Sequence, residues 1–231
     1  MTNSVDTSRL RHVGFIADGN RRWARERGLP TLEGHRPGFD KVEMIIDELK
    51  NTEVEFVSFY LFSTENWDRT AEEIDYLMKL AENRIDTLVK KAEKENLRIA
   101  IFGRPEPVKP ALWQKMLDAE ARTTKNTGLT VCICFNYGGK WEIADAAAKM
   151  LEAGETEFIP ETFAKYLYHP EVPDCDMIVR TSGEERISGF QLWRAAYAEL
   201  LFLDQHFPAL KATDIRGVLD EYHSRHRRFG K

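Results

Sequence analysis

Six short apolar runs alternate with amphipathic stretches along this chain, and that alternation restricts the fold more than any other feature. The runs are HVGFIAD (12–18), VEFVSFYLF (54–62), LRIAIFG (97–103), LTVCICF (129–135), DMIVR (176–180) and ELLFL (199–203). Several are nearly all apolar, as strands covered on both faces must be. Between them, Val42, Ile45, Ile46 and Leu49 recur at i, i+3, i+4 and i+7. Ile74, Leu77, Met78, Ala81, Ile85 and Leu88 carry that period onward, and Ile143, Ala147, Met150 and Leu151 form a third stripe. Strands alternating with helices predict an α/β fold, with a mostly parallel central sheet of about six strands flanked by helices. No repeat, low-complexity tract or linker interrupts the 231 residues, so 1–231 reads as a single domain. Residues 1–11 read as a flexible N-terminal arm.

Composition removes several classes. Apolar residues make up 42% and charged residues 31%, the mix of a soluble globular protein. No run approaches the ~18 apolar residues of a membrane span. The first twelve residues hold no apolar stretch, so no signal peptide is expected and the cytoplasm is the expected location. Three cysteines form no disulfide framework. Cys132 and Cys134 lack a second ligand pair for zinc, so ordinary buried thiols are expected. The net charge is −5, but residues 1–37 and 216–231 each carry +3. Net acidity argues against a nucleic-acid partner. The basic ends suit an anionic ligand, although solvated arginines are the plainer reading of either end alone.

Parallel sheets bind ligands beyond the carboxyl ends of their strands. Beyond the first run stand Asp18, Gly19, Asn20, Arg21, Arg22 and Trp23, where a tight turn opens a basic helix. That arrangement suits phosphate, and Asp18 could hold a divalent cation. A capped helix with surface arginines is an equal alternative. Beyond the second run stand Ser63, Thr64, Glu65, Asn66, Trp67, Asp68 and Arg69, more polar groups than one helix cap needs. Beyond the fifth, Arg180, Arg186 and Ser188 flank a turn through Gly183, a second oxyanion cradle. Glu199 opens the last run; its plain reading is an exposed strand-end carboxylate. There is no Gly-x-x-x-x-Gly-Lys loop for a nucleoside triphosphate and no Gly-x-Gly-x-x-Gly after the first run for a dinucleotide. Two arginine-rich sites, one or two carboxylates and many aromatics fit two diphosphates with apolar tails.

From His12 to Gly230 the chain resembles the cis-prenyltransferases, the family of undecaprenyl diphosphate synthase. The likeness rests on DGNRRWA (18–24), GH (34–35), FSTENWDR (62–69), FNYGGKWEI (135–143), RTSGEERIS (180–188) and LWRAAYAEL (192–200), in that order. It implies a Mg²⁺-dependent isoprenyl transferase that condenses isopentenyl diphosphate with an allylic diphosphate and forms a cis double bond. The resemblance makes Asp18 a catalytic residue and metal ligand, Glu199 a second metal ligand, and Asn66 the proton acceptor. An amide is a weak base, so Asn66 is better read as a positioning group or relay. Gly19, Asn20, Arg21, Arg22, Trp23, His35, Ser63, Thr64, Glu65, Trp67 and Arg69 would surround the allylic diphosphate. Arg180, Arg186 and Ser188 would hold isopentenyl diphosphate. Arg228 and Gly230 resemble a terminal signature that reaches that site across a homodimer interface, which makes 223–231 a basic interface segment. An apolar tunnel, lined by a helix pair and the sheet, would hold the product, and membrane contact would be peripheral at most.

The chain departs from the family pattern at Thr31, Glu185, Gly189 and Leu61. Leu61 stands where long-chain members commonly have alanine; its bulk would narrow the tunnel and favour a short or medium product. The alternatives are a full-length undecaprenyl product for the cell-wall lipid carrier, a non-catalytic subunit of a heteromeric enzyme, and a prenyl diphosphate phosphatase.

Overall fold

The structure, a computed structural model, describes residues 9–225. Its strands are β1 (His12–Ile16), β2 (Phe56–Ser63), β3 (Arg98–Phe102), β4 (Thr130–Tyr137), β5 (Met177–Thr181) and β6 (Glu199–Leu203). Each lies within two residues of its expected bounds. All neighbours pair in parallel in the order β3-β4-β2-β1-β5-β6. The helices are α1 (Asn20–Glu26), α2 (His35–Leu49), α3 (Ala71–Glu95), α4 (Pro110–Thr123), α5 (Gly139–Glu152), α6 (Pro160–Ala164) and α7 (Ala212–Ser224), with short 3₁₀ turns at Thr31–Gly34, Thr64–Asp68 and Phe207–Ala209.

The period-two geometry of the strands divides the core between two faces. Phe15, Phe59, Ile133 and Val179 face one side with the α2 and α3 stripes. Tyr60, Phe102, Cys132, Cys134, Tyr137 and Phe190 face the other. The cysteines are buried and free, and burial raises each thiol above its ordinary pKa. The α3 stripe runs from an N-cap at Thr70, whose hydroxyl accepts the Glu73 N–H at 3.3 Å, to Asn96 in a left-handed cap.

The α5 stripe is displaced from its expected face. Met150 is buried as expected, but Ile143 is half-buried, Ala147 and Leu151 are exposed, and the helix turns Glu142 and Ala146 inward instead. The cause is a buried ion pair, in which Arg194 donates to Glu142 at 2.6 Å. Arg194 also donates to the Tyr168 carbonyl at 2.6 Å. A paired carboxylate thus takes the inward position that an apolar side chain was expected to fill. No helix among the described residues is long and apolar enough to cross a membrane.

Candidate active site

β1 lies between β2 and β5, so the turns after these three strands converge at one end of the sheet. The turn after β1 is fixed first through its backbone. The Thr181 hydroxyl accepts the Asp18 N–H at 3.1 Å and donates to the Asp18 carbonyl at 2.8 Å, which also accepts the Phe207 N–H at 3.0 Å. Gly19 follows at φ +93°, where a Cβ would collide with Ser182 and His206. On the α2 side a Cβ at Gly34 or Gly38 would collide with Asn20, so the two glycines let α2 close on this turn.

The turn presents the Asp18 carboxylate. Oδ2 accepts from Arg180 Nη2 at 2.9 Å; Oδ1 accepts the Gly19 N–H at 2.6 Å and lies 3.4 Å from Arg22. Burial pushes this carboxyl up, but Arg180, the Gly19 N–H and Arg22 together outweigh it and hold it below the usual aspartate range. Arg180 is itself buried and also donates to the Arg186 carbonyl at 2.6 Å and to Ser188 Oγ at 2.7 Å. Arg186 is largely exposed and pairs with Glu184, which also receives Arg22 at 3.0 Å. Trp23 lies under the Arg27 guanidinium on the outer side of α1.

The turn after β2 is a reciprocal cap. Asn66 Oδ1 accepts the Ser63 N–H at 3.1 Å, and the Ser63 side chain accepts the Asn66 N–H. The amide expected to accept a proton is therefore committed to holding the turn. Arg69 donates to Glu73 at 2.7 Å, and Arg21 donates to the same carboxylate at 3.2 Å. His35 Nε2 lies 3.7 Å from it. Burial, with the Arg69 charge second, lowers the His35 pKa to about 4, so this ring is neutral. Glu73 is buried and joins three expected site residues, yet it was missed from the sequence. Its only signal was Thr70 three residues earlier, the spacing of a capping box.

These groups border a cavity of about 580 Å³. Asp18, Asn20, His35, Leu61, Ser63, Glu65, Asn66, Arg69, Arg180 and Ser188 line it, as do Lys140 and Trp141 at the start of α5. Asn20 Oδ1, His35 Nε2 and Arg180 Nε are buried there without a hydrogen-bond partner, which is costly unless a polar ligand supplies one. Leu61 and Phe39 also line a second, apolar cleft of about 40 Å³ between α2, α3 and the sheet, with Ala81, Ile85, Leu88 and Phe135 around it. Phe39 was not singled out from the sequence. The Arg84–Asp40 pair, at 2.6 Å, ties α3 to α2 beside this cleft.

Several expected residues stand elsewhere. Glu199 is at the amino end of β6, level with Met177, while Asp18 lies beyond the carboxyl end of β1. Two strand spacings and three residues of rise separate Glu199 from Ile16, the β1 residue level with Arg180, on the order of 14 Å, and Asp18 lies beyond it. Within one chain it cannot share an ion with Asp18, and it accepts from Arg225 at 3.1 Å instead. Trp67 turns its indole N–H to Asn136 Oδ1 at 2.8 Å and packs edge-on against Phe62. Gly19, Arg21, Arg22, Trp23, Thr64 and Arg186 do not border the cavity; Arg22 reaches it through Asp18, and Arg21 pairs with Glu73, which lies behind the lining residues Arg69 and His35. Arg228 and Gly230 lie outside the described residues.

Residues 16–230 match the sequence model of a family described as "Putative undecaprenyl diphosphate synthase". An "Isoprenyl transferase" of Rickettsia bellii is 39% identical over 222 residues, covering 96% of this chain and 98% of that protein. Its namesake in Thermotoga maritima is 39% identical over 223 residues, covering 95% and 96%. Lavandulyl diphosphate synthase from Lavandula x intermedia, solved with dimethylallyl diphosphate, superposes with a TM-score of 0.90 at 28% identity, over 98% of this chain and 100% of that one. A "probable undecaprenyl diphosphate synthase" from Campylobacter jejuni gives 0.83 at 28%, over 96% and 99%. These matches bear out the expected isoprenyl transferase class, and the chain belongs to the undecaprenyl diphosphate synthase family.

Proposed function

We propose that this protein is a cis-prenyltransferase that joins isopentenyl diphosphate to an allylic diphosphate and yields a product of short or medium length. One observation carries the reading. A cavity holding an ionised aspartate, buried arginine and unpartnered polar atoms adjoins an apolar cleft through Leu61 and Phe39. A diphosphate with an isoprenoid tail has that same division of character.

In the reaction the allylic C1–O bond breaks, and diphosphate leaves with the electron pair. The double bond of isopentenyl diphosphate forms the new carbon–carbon bond, and one proton is lost. Arg69, Asn20 and His35 surround the allylic end; Arg180 and Ser188 serve isopentenyl diphosphate. Fixed charges of this kind stabilise the departing anion without reorganisation. Because Asn66 Oδ1 already accepts a hydrogen bond, we assign the proton to the departing diphosphate, a far stronger base than an amide.

The residues present fit Mg²⁺. Asp18 offers a hard, ionised oxygen donor and Glu65 a second carboxylate on the same cavity. Magnesium is commonly held by one or two carboxylates plus substrate phosphates and water. When bound it supplies charge neutralisation on the leaving diphosphate. Among the described residues no group of three or more His, Cys, Asp or Glu could hold a metal ion, and substrate phosphates and water would supply the other positions.

A homodimer working in the cytoplasm belongs to the same proposal. Arg225, which precedes the terminal signature, is bonded to Glu199 and the Leu200 carbonyl, at the end of the sheet opposite its own cavity. That placement supports use of the tail by a second copy.

The test uses purified protein, Mg²⁺, labelled isopentenyl diphosphate and, separately, dimethylallyl, geranyl and farnesyl diphosphate. Products are dephosphorylated and sized. A short cis product is expected. An undecaprenyl-length ladder would keep the reaction and overturn the product length. Phosphate release without elongation would mean a phosphatase, and no turnover with any primer a non-catalytic subunit.

A further inference from the structure

Beside the Asp18 turn lies a hydrogen-bonded chain that none of the expected site residues includes. His206 Nδ1 meets the Ser182 hydroxyl, and His206 Nε2 meets Glu26 Oε1 at 2.8 Å. The chain spans three segments: Glu26 ends α1, Ser182 follows β5, and His206 follows β6. Ser182 and His206 border Gly19 directly, while Glu26 stands at the far end of the helix that Gly19 caps. The Gly19 Cα faces Ser182 Oγ and the His206 ring so closely that no Cβ fits. The next residue, Phe207, donates its N–H to the Asp18 carbonyl. Ser182 stands at φ +83°, a left-handed conformation that a serine adopts only when its surroundings hold it there. Its N–H donates to the Gln205 carbonyl at 3.0 Å, and its carbonyl accepts from Arg22 at 3.3 Å.

The direction of the chain follows from Glu26. Its carboxyl lies below the usual glutamate range, chiefly through the hydrogen bond from His206, so it is an acceptor only. Nε2 therefore carries a proton, and in the tautomer protonated there Nδ1 accepts from the Ser182 hydroxyl. A serine–histidine–carboxylate series also resembles a nucleophile with its base. Here Ser182 is buried beneath Gly19 and does not border the cavity, so no substrate reaches its hydroxyl.

We propose that His206 is a positioning residue: acting through Ser182, it fixes the Gly19 backbone and so the aim of the Asp18 carboxylate at the diphosphate. The proposal rests on the reading of the cavity as the diphosphate site. Its chemistry parallels the outer groups that orient metal ligands, whose loss typically costs about 10–100-fold in affinity or activity.

Two substitutions separate the links. In His206→Asn the amide oxygen replaces Nδ1 and keeps an acceptor for Ser182. In His206→Gln the amide nitrogen replaces Nε2 and keeps only the donor to Glu26. Inorganic diphosphate binding with Mg²⁺ is measured by calorimetry, kcat and KM by elongation, and the thermal midpoint for each variant. The expected result is His206→Asn within about threefold of the parent protein. His206→Gln and Ser182→Ala should lose about tenfold in kcat at an unchanged midpoint. Parent-like kcat in His206→Gln overturns the proposal. So do equal losses in both His206 variants that follow their thermal midpoints, since those report stability alone. A parent protein that binds no diphosphate overturns the cavity reading itself, a result distinct from any pattern among the variants.

Discussion

Arg180 Nη2 donates to Asp18 Oδ2 at 2.9 Å, and this contact joins the turn after β1 to the carboxyl end of β5. The same guanidinium holds Ser188 and the Arg186 carbonyl, so one planar fork sets the spacing between the two proposed diphosphate sites. Arg180→Lys keeps the charge but cannot reproduce that fork. Asp18→Asn keeps the volume but removes the charge. Each is expected to lower turnover by about 10²–10³-fold, the usual loss when a preorganised electrostatic group is removed. Steady-state kinetics, with circular dichroism to confirm folding, check this. Activity within a few-fold of the parent protein in Asp18→Asn would remove Asp18 from the chemistry.

Glu73 holds Arg69 and Arg21 together and stands beside His35. Glu73→Gln leaves two guanidinium groups facing each other over a neutral amide. The expected outcome is a rise of about tenfold in KM for the allylic substrate, with KM for isopentenyl diphosphate much less affected, and about 1–3 kcal/mol less stability. Equal rises in both constants would show that Glu73 does not act on the allylic end alone.

Leu61 and Phe39 both border the cavity and the apolar cleft. They belong to different elements, β2 and α2, so truncating either opens one wall. Leu61→Ala and Phe39→Ala are each expected to lengthen the product, and the double variant to lengthen it further. Chromatography of dephosphorylated products decides. Unchanged lengths in all three variants would mean that the growing chain takes another route.

The strands and long helices were legible because burial imposes a period, and a period survives in a linear reading. Glu73 was not legible because a carboxylate early in an amphipathic helix reads as solvent-facing. Only the folded neighbours Arg21 and Arg69 show that it points inward. The α5 face was misread for the same reason, since Glu142 is buried where Arg194, far along the chain, neutralises it and the Tyr137 hydroxyl and the Tyr168 N–H donate to it. Glu199 followed the family pattern, but a pattern carries no distances, and the register of β6 places it at the far end of the sheet. The His206 chain was invisible because its three members come from separate segments and form no motif.

Gly19 and Gly189 share a left-handed backbone and differ in what surrounds them. At Gly19 a Cβ would strike Ser182 and His206; at Gly189 nothing lies within 4 Å. Gly189→Ala should therefore cost only the backbone preference, about 1–2 kcal/mol. Gly189→Asn should cost less, because asparagine tolerates this conformation. Gly19→Ala must also displace the Asp18 turn, so it should lose activity along with more stability. Chemical denaturation and turnover of the three variants test this, and an active Gly19→Ala would show that the turn has room the structure does not display.

His12 and His35 should make the fold acid-sensitive well above the carboxylate range. Burial is the main cause in both, and it lowers each ring from 6.5 to about 4. His12 shows why. Nδ1 faces the Pro173 carbonyl at 2.8 Å, so it carries the proton, and Nε2 accepts from Ser58 Oγ at 2.7 Å. A second ring proton would oppose a hydroxyl that already accepts from Gln191 at 2.7 Å. The unfolded rings take up protons near their ordinary value and the folded rings only near 4. In that window the unfolded state therefore binds more protons, and stability falls as pH falls. Each ring contributes on the order of 3 kcal/mol across it. His169 works oppositely: Glu120 and Glu171 raise its pKa against burial, so its contribution is full at low pH and lost as pH rises through its folded value. Two lowered rings against one raised ring leave a net loss on acidification. Urea unfolding at about pH 7 and pH 5 should show a lower midpoint at pH 5, with a smaller difference in His35→Asn. Equal midpoints in the parent protein would mean that one of the buried rings is already charged in the folded state.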